Sequence, residues 1–162
     1  MPDASAWTAF FTAQVGATAA LSGLVIVAIS INLTRILSLP YLPGRAAETL
    51  IILVGALILS SVMLMPGSLV ALGEIGVVIA GMVWSACVFI HVNAFRARAS
   101  APPGSFVSRL ILSQLTALAM VVGCVLLASG DGGGLYWLAA GVLLAIVNAV
   151  FATWVLLIEI LR

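Results

Sequence analysis

The chain has no lysine, one histidine, two cysteines and very little charge of either sign: six arginines and five acidic residues in 162 positions. Charged residues make up 7% of the sequence, against roughly 25% in a soluble globular domain, so no stretch is polar enough to form one. Two cysteines, Cys87 and Cys124, both inside apolar runs, are too few for a disulfide scaffold and read as small buried hydrophobes. Connections of about ten residues between apolar runs leave no room for a nucleotide or nucleic-acid site. The glycine-rich Gly130-Asp131-Gly132-Gly133-Gly134 lies between two apolar runs rather than between a strand and a helix, which excludes a phosphate-cradling loop.

What is present is hydrocarbon. Hydrophobic residues reach 64% of the chain, and they fall into five runs, residues 10–33, 46–65, 69–95, 106–128 and 135–161. A helix needs about 20 residues to cross a bilayer, so an all-α, polytopic transmembrane bundle of about five spans is predicted, forming a single transmembrane domain over residues 1–162. Pro40, Pro43 and Gly44, then Pro66-Gly67-Ser68, then Ala101-Pro102-Pro103-Gly104-Ser105 separate the runs, because proline lacks a helix donor and glycine favours turns. Ser68 and Ser105 are placed to cap the third and fourth helices. The leader before the first run has no basic residue and the run is too long for a signal-peptide core, so the run is expected to stay as a span.

With five spans, Arg35, Arg45, Arg96, Arg98, Arg109 and Arg162 all fall on one side of the membrane, whereas Asp3, Glu74 and Asp131 fall on the other. Short arginine-bearing connections are retained in the cytoplasm, which predicts the N-terminus outside and the C-terminus inside. Trp7, Tyr136 and Trp137 then lie at the outer interface, where amphipathic rings prefer the headgroup layer. Arginine used in place of lysine, with abundant Ala, Gly, Leu and Val, points to a bacterial inner membrane.

Helical spacing divides the first run into two opposed strips. One carries Thr12, Gly16, Ala19, Ala20, Gly23, Ser30 and Thr34, a smooth surface suited to close helix packing. The other carries Gln14, Thr18, Ser22, Val25, Ile29 and Asn32. Polar groups on both sides predict an interior helix, either central in its own bundle or facing the axis of an oligomer. In the second case Gln14, Thr18, Ser22 and Asn32 line a pore, with Val25 and Ile29 as an apolar constriction. The fifth run has a packing stripe of Gly141, Ala145, Asn148 and Ala152, with the Asn148 amide near mid-membrane.

Ionisable residues inside spans are candidate functional sites. Glu48, His91 and Glu159 share a depth near the arginine-bearing end, where they form either a vestibule that handles protons or cations or a set of interfacial ion pairs. Cys87 and His91 stand one turn apart, but a single chain offers no second pair for a tetrahedral metal site, and no catalytic constellation or cofactor motif is present.

The segments Gly44-Arg45-Ala46-Ala47-Glu48-Thr49-Leu50 and Met65-Pro66-Gly67-Ser68, with the Gly/Ala-rich first run, resemble small uncharacterised integral-membrane proteins of bacteria. That resemblance implies a helical membrane protein and no activity. Two functions follow from the residues: a homo-oligomeric channel or facilitator for ions or small solutes, lined by the first helix, or an accessory subunit of a larger membrane complex. Both place the chain in a lipid bilayer, and neither requires catalysis, a metal or a cofactor.

Overall fold

The computed structural model describes the backbone of residues 4–38, 42–96 and 103–161, and side chains of residues 5–38, 42–96 and 109–154. Six helices account for the described backbone: α1 (Ala4–Ile31), α2 (Leu33–Ser38), α3 (Leu42–Val62), α4 (Leu69–Arg96), α5 (Pro103–Ala128) and α6 (Gly134–Leu161). Five are long and apolar enough to cross a membrane, which makes this an integral-membrane helical protein.

Helices α1, α3, α5 and α6 begin ahead of their apolar runs, because a helix continues through polar residues where the hydrocarbon ends, whereas α1 and α3 stop two and three residues short of theirs. Thus α1 starts at Ala4 rather than near Phe10. Two prolines expected to separate helices instead begin them: Pro43 sits in the first turn of α3, and α5 starts at Pro103. At those positions the missing N–H would have no helical partner and the fixed φ suits the helix. Ser105 consequently lies within α5 rather than capping it. Ser68 does cap α4, its Oγ accepting the Ala71 N–H at 3.2 Å. The unanticipated α2 follows a one-residue break at Asn32, whose side-chain amide donates to the Ala28 carbonyl at 2.9 Å and occupies an acceptor of the last turn of α1. Ile36 of α2 is buried with Leu42.

Helices α3, α4, α5 and α6 close a ring, each touching the next and α6 returning to α3. The centre is solid: Leu59, Ala80, Cys87, Met120, Cys124, Leu138 and Val142 fill one contiguous core. Small residues permit the close approaches. A Cβ on Gly123 would lie 2.5 Å from the Leu138 backbone nitrogen, and one on Gly76 would lie 2.8 Å from the Cys124 sulfur. The α5–α6 turn uses Gly130 at φ +86°, a left-handed conformation that suits glycine, and Asp131 Oδ1 accepts the Gly133 N–H at 2.8 Å.

Helix α1 is outside this ring. It lies on α3 and touches α6, with few contacts beyond them, and Trp7 ties its start to the start of α6 through an edge-on contact with Tyr136 at 5.0 Å. The expectation that the first helix is central in its own bundle is therefore corrected. The physical reason is local: Thr12 donates to Thr8 O, Thr18 to Gln14 O, Ser22 to Thr18 O and Ser30 to Ile26 O, at 2.6 to 2.8 Å. A hydroxyl bonded to the carbonyl one turn back needs no second helix, so two polar strips do not require two neighbours.

Candidate functional site

The arginine-bearing end of the ring is where α3 and α5 begin and α4 ends. Glu48 comes two turns into α3, His91 about a turn from the end of α4, and Arg109 two turns into α5, so three helix ends deliver three ionisable groups to one level. Glu48 is 3% exposed. Its Oε2 accepts Arg109 Nε at 2.7 Å and also Arg109 Nη2, giving a close guanidinium–carboxylate pair. Its Oε1 faces His91 Nε2 at 3.0 Å. On the far side of the imidazole, Gln114 Nε2 lies 3.3 Å from Nδ1, and Gln114 Oε1 accepts the Trp84 indole N–H at 2.8 Å.

The result is a continuous polar chain, Arg109–Glu48–His91–Gln114–Trp84, that crosses from α5 through α3 and α4 and back to α5 before reaching α4 again. Ser113 and Cys87 lie alongside Glu48, both buried. Removing one ion from such a pair leaves the other buried without compensation, which is strongly destabilising. The network therefore pins three helices in register. Among the described residues no three His, Cys, Asp or Glu converge, and the Arg109 guanidinium occupies Oε2 of the one carboxylate here.

The structure brings Glu48 and His91 together; the side chain of Glu159 lies outside the described residues. Arg109, Gln114 and Trp84 complete the site although sequence reasoning did not place them there. For Arg109 a signal existed: it falls inside the apolar run beginning at Phe106, and an arginine inside a span calls for a counter-charge.

The first-helix residues are distributed differently from expectation. Thr18, Ser22 and Val25 are buried, and Gln14, Ile29 and Asn32 partly so. Val25 packs with Leu53 of α3 and Ala149 of α6, and Leu21 and Ile29 close around it. The strip assigned to a pore is thus covered by this chain's own helices. The Gly16, Ala20 and Gly23 strip, expected to pack on the same protomer or on its neighbour, is exposed in the single chain, and nothing lies within 4 Å of a Cβ at Gly16 or Gly23. On α6, Gly141, Ala145 and Asn148 are buried and Ala152 partly buried; a Cβ on Gly141 would meet Met120 of α5.

No protein-family model, no curated protein and no solved structure matches this chain.

Proposed function

We propose that the protein is an accessory or assembly subunit that works by helix–helix association in the membrane. One observation carries the reading: the polar strip of α1 is covered from within the chain while its small-residue strip, Gly16, Ala20 and Gly23, is open. Small residues at this spacing let a second transmembrane helix approach backbone to backbone, the main source of association energy where lipid is as apolar as the partner. Packing within the chain weighs against the channel reading, since Val25 lies with Leu53 and Ala149, and Ile29 packs beside them. The described arginines Arg35, Arg45, Arg96 and Arg109 belong to the end where α1 finishes and α3 begins. The retention of arginine-bearing ends in the cytoplasm supports an N-terminus outside, and arginine in place of lysine supports a bacterial inner membrane as its setting.

The reading assigns no catalytic step, cofactor or nucleic acid to the chain. Purification alone in detergent, followed by mass measurement and a liposome ion-flux assay, tests it. A monomer or a non-conducting dimer with background flux is expected. A stable ring of identical subunits that conducts, and leaks more when Val25→Ser is introduced, overturns it in favour of the channel. A second copy of the chain seated on the α1 strip is one form of the same association, and Gly23→Leu separates it from a foreign partner by abolishing the dimer.

A further inference from the structure

Buried hydroxyls in this protein have a habitual partner. Thr18, Ser22, Thr49 and Thr116 each donate to the carbonyl one turn back on their own helix. Ser60 of α3 and Ser113 of α5, both fully buried, depart from that habit, and the Oγ of each has no hydrogen-bond partner. Of the two, Ser113 lies inside the polar cluster, alongside the Glu48 carboxylate and the Cys87 thiol. Glu48 adds a second such atom. Arg109 bonds its Oε2, whereas Oε1 is buried without a hydrogen bond, the imidazole 3.0 Å away included.

Helix register supplies a third group. Helices α5 and α6 run antiparallel, with Gly123 against Leu138 and Met120 against Gly141. Two turns further towards the arginine-bearing end, on the same face of each helix, stand Ser113 and Asn148. Asn148 is 7% exposed, and its neighbour Ala149 packs with Leu53 in the middle of α3, so this level is near mid-membrane. A hydroxyl, a carboxylate oxygen and a carboxamide are thus delivered to one place by α5, α3 and α6. In hydrocarbon, polar groups without partners are costly, and bulk water is out of reach.

We infer that Ser113 Oγ, Glu48 Oε1 and the Asn148 amide form an internal binding site for one small neutral molecule that both donates and accepts hydrogen bonds, and that its occupant is water. Charge sets the neutrality: Arg109 already balances Glu48, so a cation would leave a net positive charge inside the ring and an anion would face the carboxylate. A carboxylate oxygen only accepts, so the occupant donates to Oε1, and it accepts from the Ser113 hydroxyl or the Asn148 NH2. The surroundings set the size. Cys87 beside Ser113, and Ala117 and Ala145 one turn outward, are small and buried, and beyond them Met120, Leu138 and Val142 close the ring with hydrocarbon. Internal waters typically make about three bonds to buried groups that otherwise lack them. Such a water ties α6 to the network that joins α3, α4 and α5, and it does so apart from the association surface on α1.

A density map of the full chain that resolves ordered water is the direct test. An oxygen within hydrogen-bonding reach of Ser113 Oγ and Glu48 Oε1 is expected. A Ser113 hydroxyl turned back onto the Arg109 carbonyl of its own helix, with no water beside it, overturns the site. Unfolding in a denaturing-detergent titration reads the same bonds energetically. Ser113→Ala should lower the midpoint, because it takes a bond from the water; an unchanged or raised midpoint means that the hydroxyl is unpaired and overturns the proposal. In an Asn148→Leu background the same substitution should shift the midpoint less, since the water has already lost a partner there. Equal shifts in the two backgrounds overturn the three-sided site.

Discussion

Helix α1 and the four ring helices are almost equally apolar, with mean hydropathies of 1.9 for α1 and 1.8 to 2.4 for the others, yet their small and polar residues serve opposite purposes. In the ring, glycine marks contact everywhere but at Gly81: Gly73 abuts the Leu127–Ala128 backbone, and Gly123 abuts Leu138. On α1, Gly16 and Gly23 face open space. Hydroxyls bond to carbonyls of their own helix in α1 and in the ring alike, as Thr49 and Thr116 do, but only the ring adds longer side chains, Glu48, His91, Gln114 and Trp84, that meet across helices. Equal hydropathy therefore conceals two kinds of helix, one joined to its neighbours by close glycine contacts and long polar side chains, and one whose hydroxyls are satisfied within itself and whose glycines stand open.

The sharpest attempt to break this contrast is Glu48→Leu, which takes the carboxylate away from both the Arg109 guanidinium and His91. It should lower stability by about 3 kcal/mol, read as a shifted midpoint in a denaturing-detergent titration; an effect as small as that of an α1 hydroxyl deletion would abolish the distinction. Next comes Gly123→Val, where overpacking against Leu138 should cost about 1–3 kcal/mol, while Gly16→Val should leave the isolated chain within about 0.5 kcal/mol of the parent. If Gly16→Val instead unfolds the chain, the α1 strip is packed after all. Truncating Val25 to Ser opens the seam between α1, α3 and α6 and should cost about 1–2 kcal/mol. The neighbouring Leu24→Ser, at a position 66% exposed, should leave that seam intact, as thermal unfolding of the two variants in one detergent would show. The smallest effect belongs to Thr12→Val and Ser30→Ala, each within about 0.5 kcal/mol; a large loss in either would mean that its hydroxyl serves a neighbour.

The five spans were legible because a run of about 20 apolar residues has few other uses. Their ends were less so: Pro43 and Pro103 belong to helices, since a first-turn proline has no helical acceptor to lose. Periodicity correctly divides α1 into two strips but cannot say which one meets protein, because Thr18 and Ser22 satisfy their hydroxyls locally and their burial depends on the shape of the α3–α6 seam. Glu48 and His91 share a depth that helix counting reveals. That Arg109 and Gln114 approach them from α5 depends on the rotation of that helix, set by packing at Gly73, Gly76 and Gly123 rather than by any local pattern.

The position of α1 bears on the order in which the molecule is made. It is synthesised before every helix it touches, and the Val25 pocket lacks its Ala149 wall until α6 has been translated. During that interval α1 has only α2 and α3 to lie on, and the rest of its surface stands in lipid. Hydroxyls already bonded to the preceding turn carry no unmet hydrogen bond while it waits, so they neither draw it out of the membrane nor glue it to a passing helix. The self-contained bonding of Thr12, Thr18, Ser22 and Ser30 thus suits α1 to biogenesis as an early, patient tenant of the bilayer, onto which the later helices close.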